Sequence, residues 1–282
     1  MRITILGSGG CMVIPKPLCR CAVCVEARQK GIPYARTGPA VFIHDIDLLI
    51  DTPAEIISQL NRERIKRIDA LLFTHADPDH VEGFRVVEQI ALDFRTWRAY
   101  PKKETRILMP RRLYPSLQRI KTTYGPALDY YERQGFARIL FFDQNINVGN
   151  GALWAVPVTC GEESVFIYVF EYRGKKMVYA PCDIKPFPEE HAIVQAPDVL
   201  IIQPGIFETG LAHEFEYPED HISRNTLYTF EETLSLAHRI QAARVVCVHL
   251  EEYWNRGYDD YRVLEKKYSN VQFAYDGMEI TL

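Results

Sequence analysis

Hydrophobic residues along this 282-residue chain fall into short runs, three to ten residues long, that alternate with amphipathic stretches. Arg2–Leu6 reads as a first strand, and Val41–Ile50 as a hairpin turning near Asp45. In "DTPAEIISQLNRER", Thr52, Pro53 and Glu55 stand where a capping box places N-cap, first helical residue and third helical residue, and Ile56, Ile57 and Leu60 supply one apolar face. Ala70–Phe73 predicts a buried strand, Val81–Ala91 a helix with Phe84, Val87 and Ile90 inward, and Arg106–Met109 and Arg138–Phe142 two further strands. In the second half, Ala152–Val158, Val165–Tyr172 and Met177–Ala180 predict successive antiparallel strands, followed by Val199–Ile202. A second capping box, Thr229 with Glu232, heads a helix; Val245–His249 is a strand and Tyr258–Tyr268 a helix, and Val271–Tyr275 and Met278–Leu282 close the chain. Strands and helices mixed in both halves predict an α/β protein of two packed sheets with helices outside. No linker, low-complexity segment or short-period repeat divides it, so one domain over 1–282 is expected.

Composition narrows the class. At 47% hydrophobic, 25% charged and a formal net charge of −4, the chain can bury a sizeable core and shows no sign of disorder. No apolar run approaches the roughly 20 residues that cross a bilayer, and the apolar segment of "MRITILGSGGCMVIP" is short for a signal peptide. A soluble cytoplasmic protein without a membrane partner is therefore expected. Charge is unevenly spread. Between Arg95 and Lys121 nine basic residues face the single acid Glu104, a local +8 that leaves −12 for the remainder. Trp97, Tyr100 and Tyr114 are interleaved there. Such asymmetry suits either a solvated surface or an anionic partner.

The stretch "LLFTHADPDHVEGF" crowds His75, Asp77, Asp79 and His80 between a strand and a helix. Asp77 before Pro78 is a good N-cap, and Asp79 in the first turn is favoured by the helix dipole. Capping thus accounts for both aspartates, but for neither histidine. Imidazole nitrogen and carboxylate oxygen both suit zinc, manganese or iron. Seven cysteines, an odd number, include the C-x-C-x-x-C group Cys19, Cys21 and Cys24. Three thiolates so close can wrap a tetrahedral zinc if a fourth ligand arrives from elsewhere; otherwise they are free thiols of a reducing compartment.

Together these segments resemble the metallo-β-lactamase superfamily. "THADPDH" resembles its H-x-H-x-D-H signature, with Asp77 where the second histidine usually stands. "GSGG" after the first strand, the hairpin ending in "LLIDTP", "VYAPCDI" and "RVVCVHLEE" follow in the superfamily's order. The resemblance implies an αββα sandwich of two facing mixed β-sheets. It implies one metal site made of Asp79, His80, His249 and a bridging Asp183, and another made of His75, Asp77 and a histidine from the segment before Val165. No histidine stands there. Cys160 is nearest, either as a substitute ligand or as a small buried residue. The cysteine motif resembles that of a subgroup, the phosphodiesterase of the carbon–phosphorus lyase pathway and the pyrroloquinoline quinone biosynthesis protein B. There a histidine completes a structural zinc site; here that position is Glu252. "HIS" at His221 resembles the subgroup's histidine that binds substrate or protonates the leaving group. His213 is the weaker candidate for that role. His44 and His238 are expected to be structural, and Cys182 to be part of the core.

The reading that results is metal-dependent hydrolysis of a small or cyclic phosphodiester through a metal-activated water, with one or two active-site ions of zinc or manganese (or iron) and one structural zinc. Asp79 orients that water and His221 acts as general acid. The basic segment 93–135 is expected to cover the site, and nucleic acid is the less favoured partner. The rival expectations are a same-fold hydrolase of another ester, lactone, thioester or RNA 3′ end, a metal-dependent redox protein, or a non-catalytic metabolite-binding member.

Overall fold

The computed structural model describes residues 1–160 and 163–282, the side chains of 159, 160, 163 and 164 excepted. Fourteen of its strands form two seven-stranded sheets. In chain order these are β1 (Arg2–Gly7), β2 (Ala40–Ile43), β3 (Leu48–Ile50), β4 (Ala70–Leu72), β5 (Thr105–Pro110), β6 (Ala137–Phe142), β7 (Asn145–Val148), β8 (Gly151–Cys160), β9 (Glu163–Tyr172), β10 (Lys175–Ala180), β11 (Val199–Ile202), β12 (Val245–Cys247), β13 (Val271–Phe273) and β14 (Met278–Thr281). The first sheet runs β6-β5-β4-β3-β2-β1-β14 and the second β7-β8-β9-β10-β11-β12-β13. Both are mixed. Strands β3 to β6 pair in parallel in one sheet and β10 to β13 in the other, and the remaining pairs are antiparallel.

The period-2 alternation of strand β9 shows how one sheet serves two cores. Phe166, Tyr168, Phe170 and Tyr172 face the first sheet and join Ile3, Ile5, Val41 and Leu71 in the inner core. Ile167 and Val169 face the other way, against Phe230, Leu236 and Ala237 of the helix Phe230–Arg239 and Tyr261 of the helix Tyr258–Glu265. The result is the expected αββα sandwich. Tyr168 spans the inner layer, its hydroxyl donating to the carbonyl of Phe73 at 2.6 Å, and the Phe166 amide donates to Thr74 O at 2.8 Å. These bonds fasten the second sheet to the chain leaving β4. A buried carbonyl stripped of such a partner costs about 1–3 kcal/mol.

Two expectations need correction. The Thr52–Glu55 capping box does not form. The helix starts at Ile56, and Glu55 accepts from the Gly38 amide instead. Thr52 cannot begin a helix because its N–H goes to His80 O at 2.7 Å and its carbonyl to Gly83 N at 2.8 Å. The helix expected over Val81–Ala91 is divided into α-helix Pro78–Val81, a 3-10 turn Glu82–Arg85 and α-helix Val86–Ala91. Inside the basic segment 93–135 the strand expected at Arg106–Met109 forms as β5 and pairs with β4 and β6.

Candidate metal centre

The site lies beyond the carboxyl ends of parallel strands from both sheets, where α/β proteins commonly place ligands. Asp51 follows β3, His75 lies three residues past β4, Cys182 two past β10, Gln203 one past β11, and His249 two past β12. Three non-glycine residues there hold left-handed backbone: Asp51 (φ 64°), Asp183 (φ 52°) and His249 (φ 57°). Such strain persists where the surroundings impose it, and it clusters at functional sites.

Every histidine of the centre is oriented by its Nδ1. His80 Nδ1 sits 2.9 Å from Asp51 Oδ2, both side chains fully buried. The Thr74 hydroxyl donates to the same Asp51 oxygen at 2.9 Å, so toward His75 Nδ1, also at 2.9 Å, it can only accept. His249 Nδ1 faces Glu251 Oε1 at 3.3 Å, and that carboxylate also accepts from the Cys11 amide at 2.9 Å. All three rings therefore turn Nε2 toward a common space. This carboxylate-behind-histidine arrangement is the one that fixes metal-binding imidazoles.

Donors meet in that space. Asp79 Oδ2 lies 3.3 Å from both His80 Nε2 and His249 Nε2. Oxygen and nitrogen ligands at the ~2.0–2.2 Å typical of zinc subtend about 3.4 Å across a tetrahedral angle, so this triad fits an ion. His75 Nε2 and Asp77 Oδ2 are 3.6 Å apart, and Asp183 brings a carboxylate oxygen within 4.8 Å of both. Asp77 heads its helix without a side-chain cap bond, so the cluster uses it differently from an N-cap.

Electrostatics agree. Burial disfavours charged imidazole, yet the Cys182 sulfur and Asp77 hold His75 up at about 9. His80 is likewise raised against burial, by Cys182 and Asp51, and His249 by Cys182 and Asp79. Asp79 is held far below the usual carboxylate range, burial notwithstanding, by its bonds to His249 and His80. The pocket thus gathers anionic groups that protons balance, and a dication can take the place of those protons.

Asp183, expected as the bridging carboxylate, brings an oxygen within 4.8 Å of the His75 and Asp77 donors. Consecutive side chains diverge, and it is Cys182, expected in the core, whose sulfur points into the centre, 3.3 Å from His80 Nε2 and 3.8 Å from His75 Nε2. The Cys160 side chain lies outside the described residues. Asp51, Thr74, Gln203 and Glu251 were not singled out as functional in the sequence. For Asp51 and Glu251 the signal was there in "LLIDTP" and "VHLEE", acids within four residues of the end of a buried strand; Thr74 and Gln203 carried none.

"GSGG" is a packing device, not a phosphate loop. A Cβ on Gly10 would lie 1.9 Å from Glu251 Oε1 and 2.6 Å from His249 Nδ1, so only glycine lets the loop close over the ligand. Ser8 is held by Asp276 through its amide at 2.8 Å and its hydroxyl at 2.9 Å. His221 accepts the Ser223 amide at Nδ1 (3.2 Å), which leaves the proton of the neutral ring on Nε2. With His213, Tyr217 and Tyr253 it lines a cavity of about 610 Å³. His44 is structural, its Nε2 2.7 Å from Thr4 Oγ1.

A second donor group lies apart. One atom each of Cys19, Cys21, Cys24 and Glu252 falls within 4.8 Å of the others. Backbone amides aim at the sulfurs: Cys21 N at Cys19 (3.5 Å), Cys24 N at Cys21 (3.4 Å) and Lys16 N at Cys24 (3.2 Å). Glu252, only 4% exposed, faces Cys19 Sγ at 3.7 Å, with Lys16 Nζ also at 3.7 Å. A buried carboxylate so loosely paired, opposite three sulfurs, suits a cation. Burial pushes the Cys24 thiol up to about 12, a shift that a bound ion reverses.

None of the curated protein sequences compared with the chain matches it. Among solved structures it is similar over its whole length to a diphosphatase of the PhnP family (22% identity, TM-score 0.74, 97% of that chain) and to Zn(2+)-bound PqqB from Methylobacterium extorquens (18%, 0.71, 100%). It is also similar to human tRNase Z, short form (17%, 0.62, 100% of this chain and 99% of that one). Identities this low establish a common fold. A family profile described as the beta-lactamase superfamily domain matches residues 47–250, a span that includes Asp51, the His75–His80 cluster, Cys182 and His249. The chain therefore belongs to the β-lactamase superfamily, in its metallo-β-lactamase fold.

Proposed function

We propose that the protein is a metal-dependent hydrolase acting on a small or cyclic phosphodiester. One observation carries the metal half of this reading: three buried histidines, each fixed through Nδ1, turn Nε2 toward carboxylates, His80 and His249 toward Asp79 and His75 toward Asp77. A bound ion supplies Lewis acidity and a nucleophile at neutral pH. The chain's own groups do the rest. Asp51 and Glu251 hold His80 and His249 in register. His221 keeps a proton on Nε2 for a leaving group, and its cavity abuts Tyr253, two residues beyond Glu251. The anionic-substrate half rests on a separate cavity of about 490 Å³ lined by Arg111, Arg112, Trp154, Phe166 and His191. Its Phe166 amide bonds Thr74, the residue behind His75. The diphosphatase among the similar structures supports the same chemistry.

Zinc is our choice for the Cys19, Cys21, Cys24 and Glu252 group, in a structural role. Four protein donors close the coordination sphere, and Glu252 ties the N-terminal loop to the C-terminal half. Among the described residues no helix is long and apolar enough to cross a membrane. The decisive assay offers purified protein, loaded with zinc or manganese, a panel of cyclic and linear phosphodiesters beside thioesters, lactones and RNA 3′ ends. Turnover of phosphodiesters that chelation removes and metal restores is expected. Turnover of only another class, or none, defeats the reading.

A further inference from the structure

The centre has one donor that the superfamily resemblance did not assign. Cys182 is 3% exposed, and its sulfur stands between the two carboxylate–histidine groups. On one side are His75 and Asp77, on the other His80, Asp79 and His249. The shape of this contact is informative. Zinc–sulfur and zinc–nitrogen bonds of ~2.3 and ~2.0–2.1 Å, at a tetrahedral angle, separate sulfur from nitrogen by about 3.6 Å. The observed 3.3 Å to His80 Nε2 and 3.8 Å to His75 Nε2 bracket that value. Both nitrogens are the ones left free by the Nδ1 bonds to Asp51 and Thr74. A buried cysteine serving only as core would face apolar neighbours. Cys247, buried on the outer face of the second sheet among Leu200, Ile202 and Phe273, shows what that looks like. Cys182 belongs to neither core cluster.

We propose that Cys182 is a metal ligand, its thiolate shared between the His75 and His80 sides of the centre in the position where a carboxylate was expected. The proposal rests on the metal-centre reading above and deepens it. A thiolate at the middle of the donor set selects for soft or borderline ions, so the centre takes zinc, cobalt(II) or iron(II) in preference to manganese, whose partners are carboxylate, carbonyl and water oxygens. Asp183 remains a carboxylate on the His75 and Asp77 side.

The test exchanges cobalt(II) into the intact protein and reads thiolate-to-cobalt charge-transfer absorption, with the Cys19, Cys21 and Cys24 cluster as internal reference. Cys182→Ser is expected to lose one thiolate's share of that absorption and to keep the cluster's. Cys182→Asp is expected to bind an ion at the centre, but with its zinc-over-manganese preference reduced at least about tenfold, the smaller end of what even outer-shell losses produce. Circular dichroism checks the fold of each variant, and the two introduce different side chains, so a folding defect in one leaves the other informative. Absorption unchanged in Cys182→Ser, or an unchanged zinc preference in Cys182→Asp, overturns the proposal. His80→Ala separates the two levels. If it sheds an ion that Cys182→Ser retains with full absorption, only the cysteine assignment fails. If it too retains the full metal content, the metal-centre reading fails with it.

Discussion

Two donor groups of similar chemistry occupy this molecule, and they are built in opposite ways. Three of the four donors of the cysteine group come from a six-residue stretch, Cys19 to Cys24, at the start of one helix, and only Glu252 arrives from a distance. The sulfurs are oriented by neighbouring backbone amides. The histidine centre takes its donors from the ends of strands in both sheets, and buried carboxylates orient them. At its rim Asp77 has a side chain 64% exposed, while His80 is fully buried. A set of four protein donors leaves no place for substrate, whereas a rim open to solvent does. The difference teaches that role follows from how donors are supplied, not from which residue types are present.

Substitutions can break that contrast or sharpen it. The largest effect is expected at His249→Ala: turnover falls by more than the ~10–100-fold that outer-shell losses bring, while circular dichroism and melting temperature stay near those of the parent. Full activity would remove His249 from the chemistry. Cys24→Ser should do the reverse. One ion is lost from the metal content, and stability drops by about 4 kcal/mol if free zinc normally stands near 1,000 times its Kd, read by denaturant titration. An unaltered metal count would dissolve the distinction between the two groups. Asp51→Asn removes the carboxylate behind His80 without changing its shape. Metal affinity at the centre should fall ~10–100-fold, measured by competition with a chelating dye, and an unchanged affinity would show that His80 needs no orienting partner. The smallest effect concerns capping. Thr229→Ala should cost ~1 kcal/mol, since its hydroxyl accepts the Glu232 amide at 3.2 Å. In metal-free protein Asp77→Ala should cost less than Thr229→Ala, because Asp77 makes no side-chain cap bond and its ion pair with His75 is largely exposed on the aspartate side. Equal losses would return Asp77 to the role of a helix cap.

Two threonine sites also show what local sequence can and cannot reveal. Thr229–Glu232 and Thr52–Glu55 carry the same capping signature, yet only the first forms. Nothing beside Thr52 in the sequence announces that its N–H and carbonyl are claimed by His80 and Gly83, 28 and 31 residues further on. Cys182 and Asp183 make the same point at the centre. Both are polar or polarisable residues at a strand end, and which of them faces inward depends on the turn after β10, not on their order in "VYAPCDI".

The alternation of strands and helices and the crowded His75–His80 and Cys19–Cys24 stretches were legible in the sequence itself, while the joining of His249 to Asp79 and His80 was only what resemblance to the superfamily implied. The legible features rest on periodicity and on residue types at fixed spacing, which are local quantities. Only the tertiary structure decided which atom sits between the histidines and which carboxylates stand behind them. Those facts depend on the directions of side chains brought together from more than a hundred residues apart, such as Cys182 with His80 and His249 with Asp79. A direction in space is fixed by packing, and packing is a property of the whole fold.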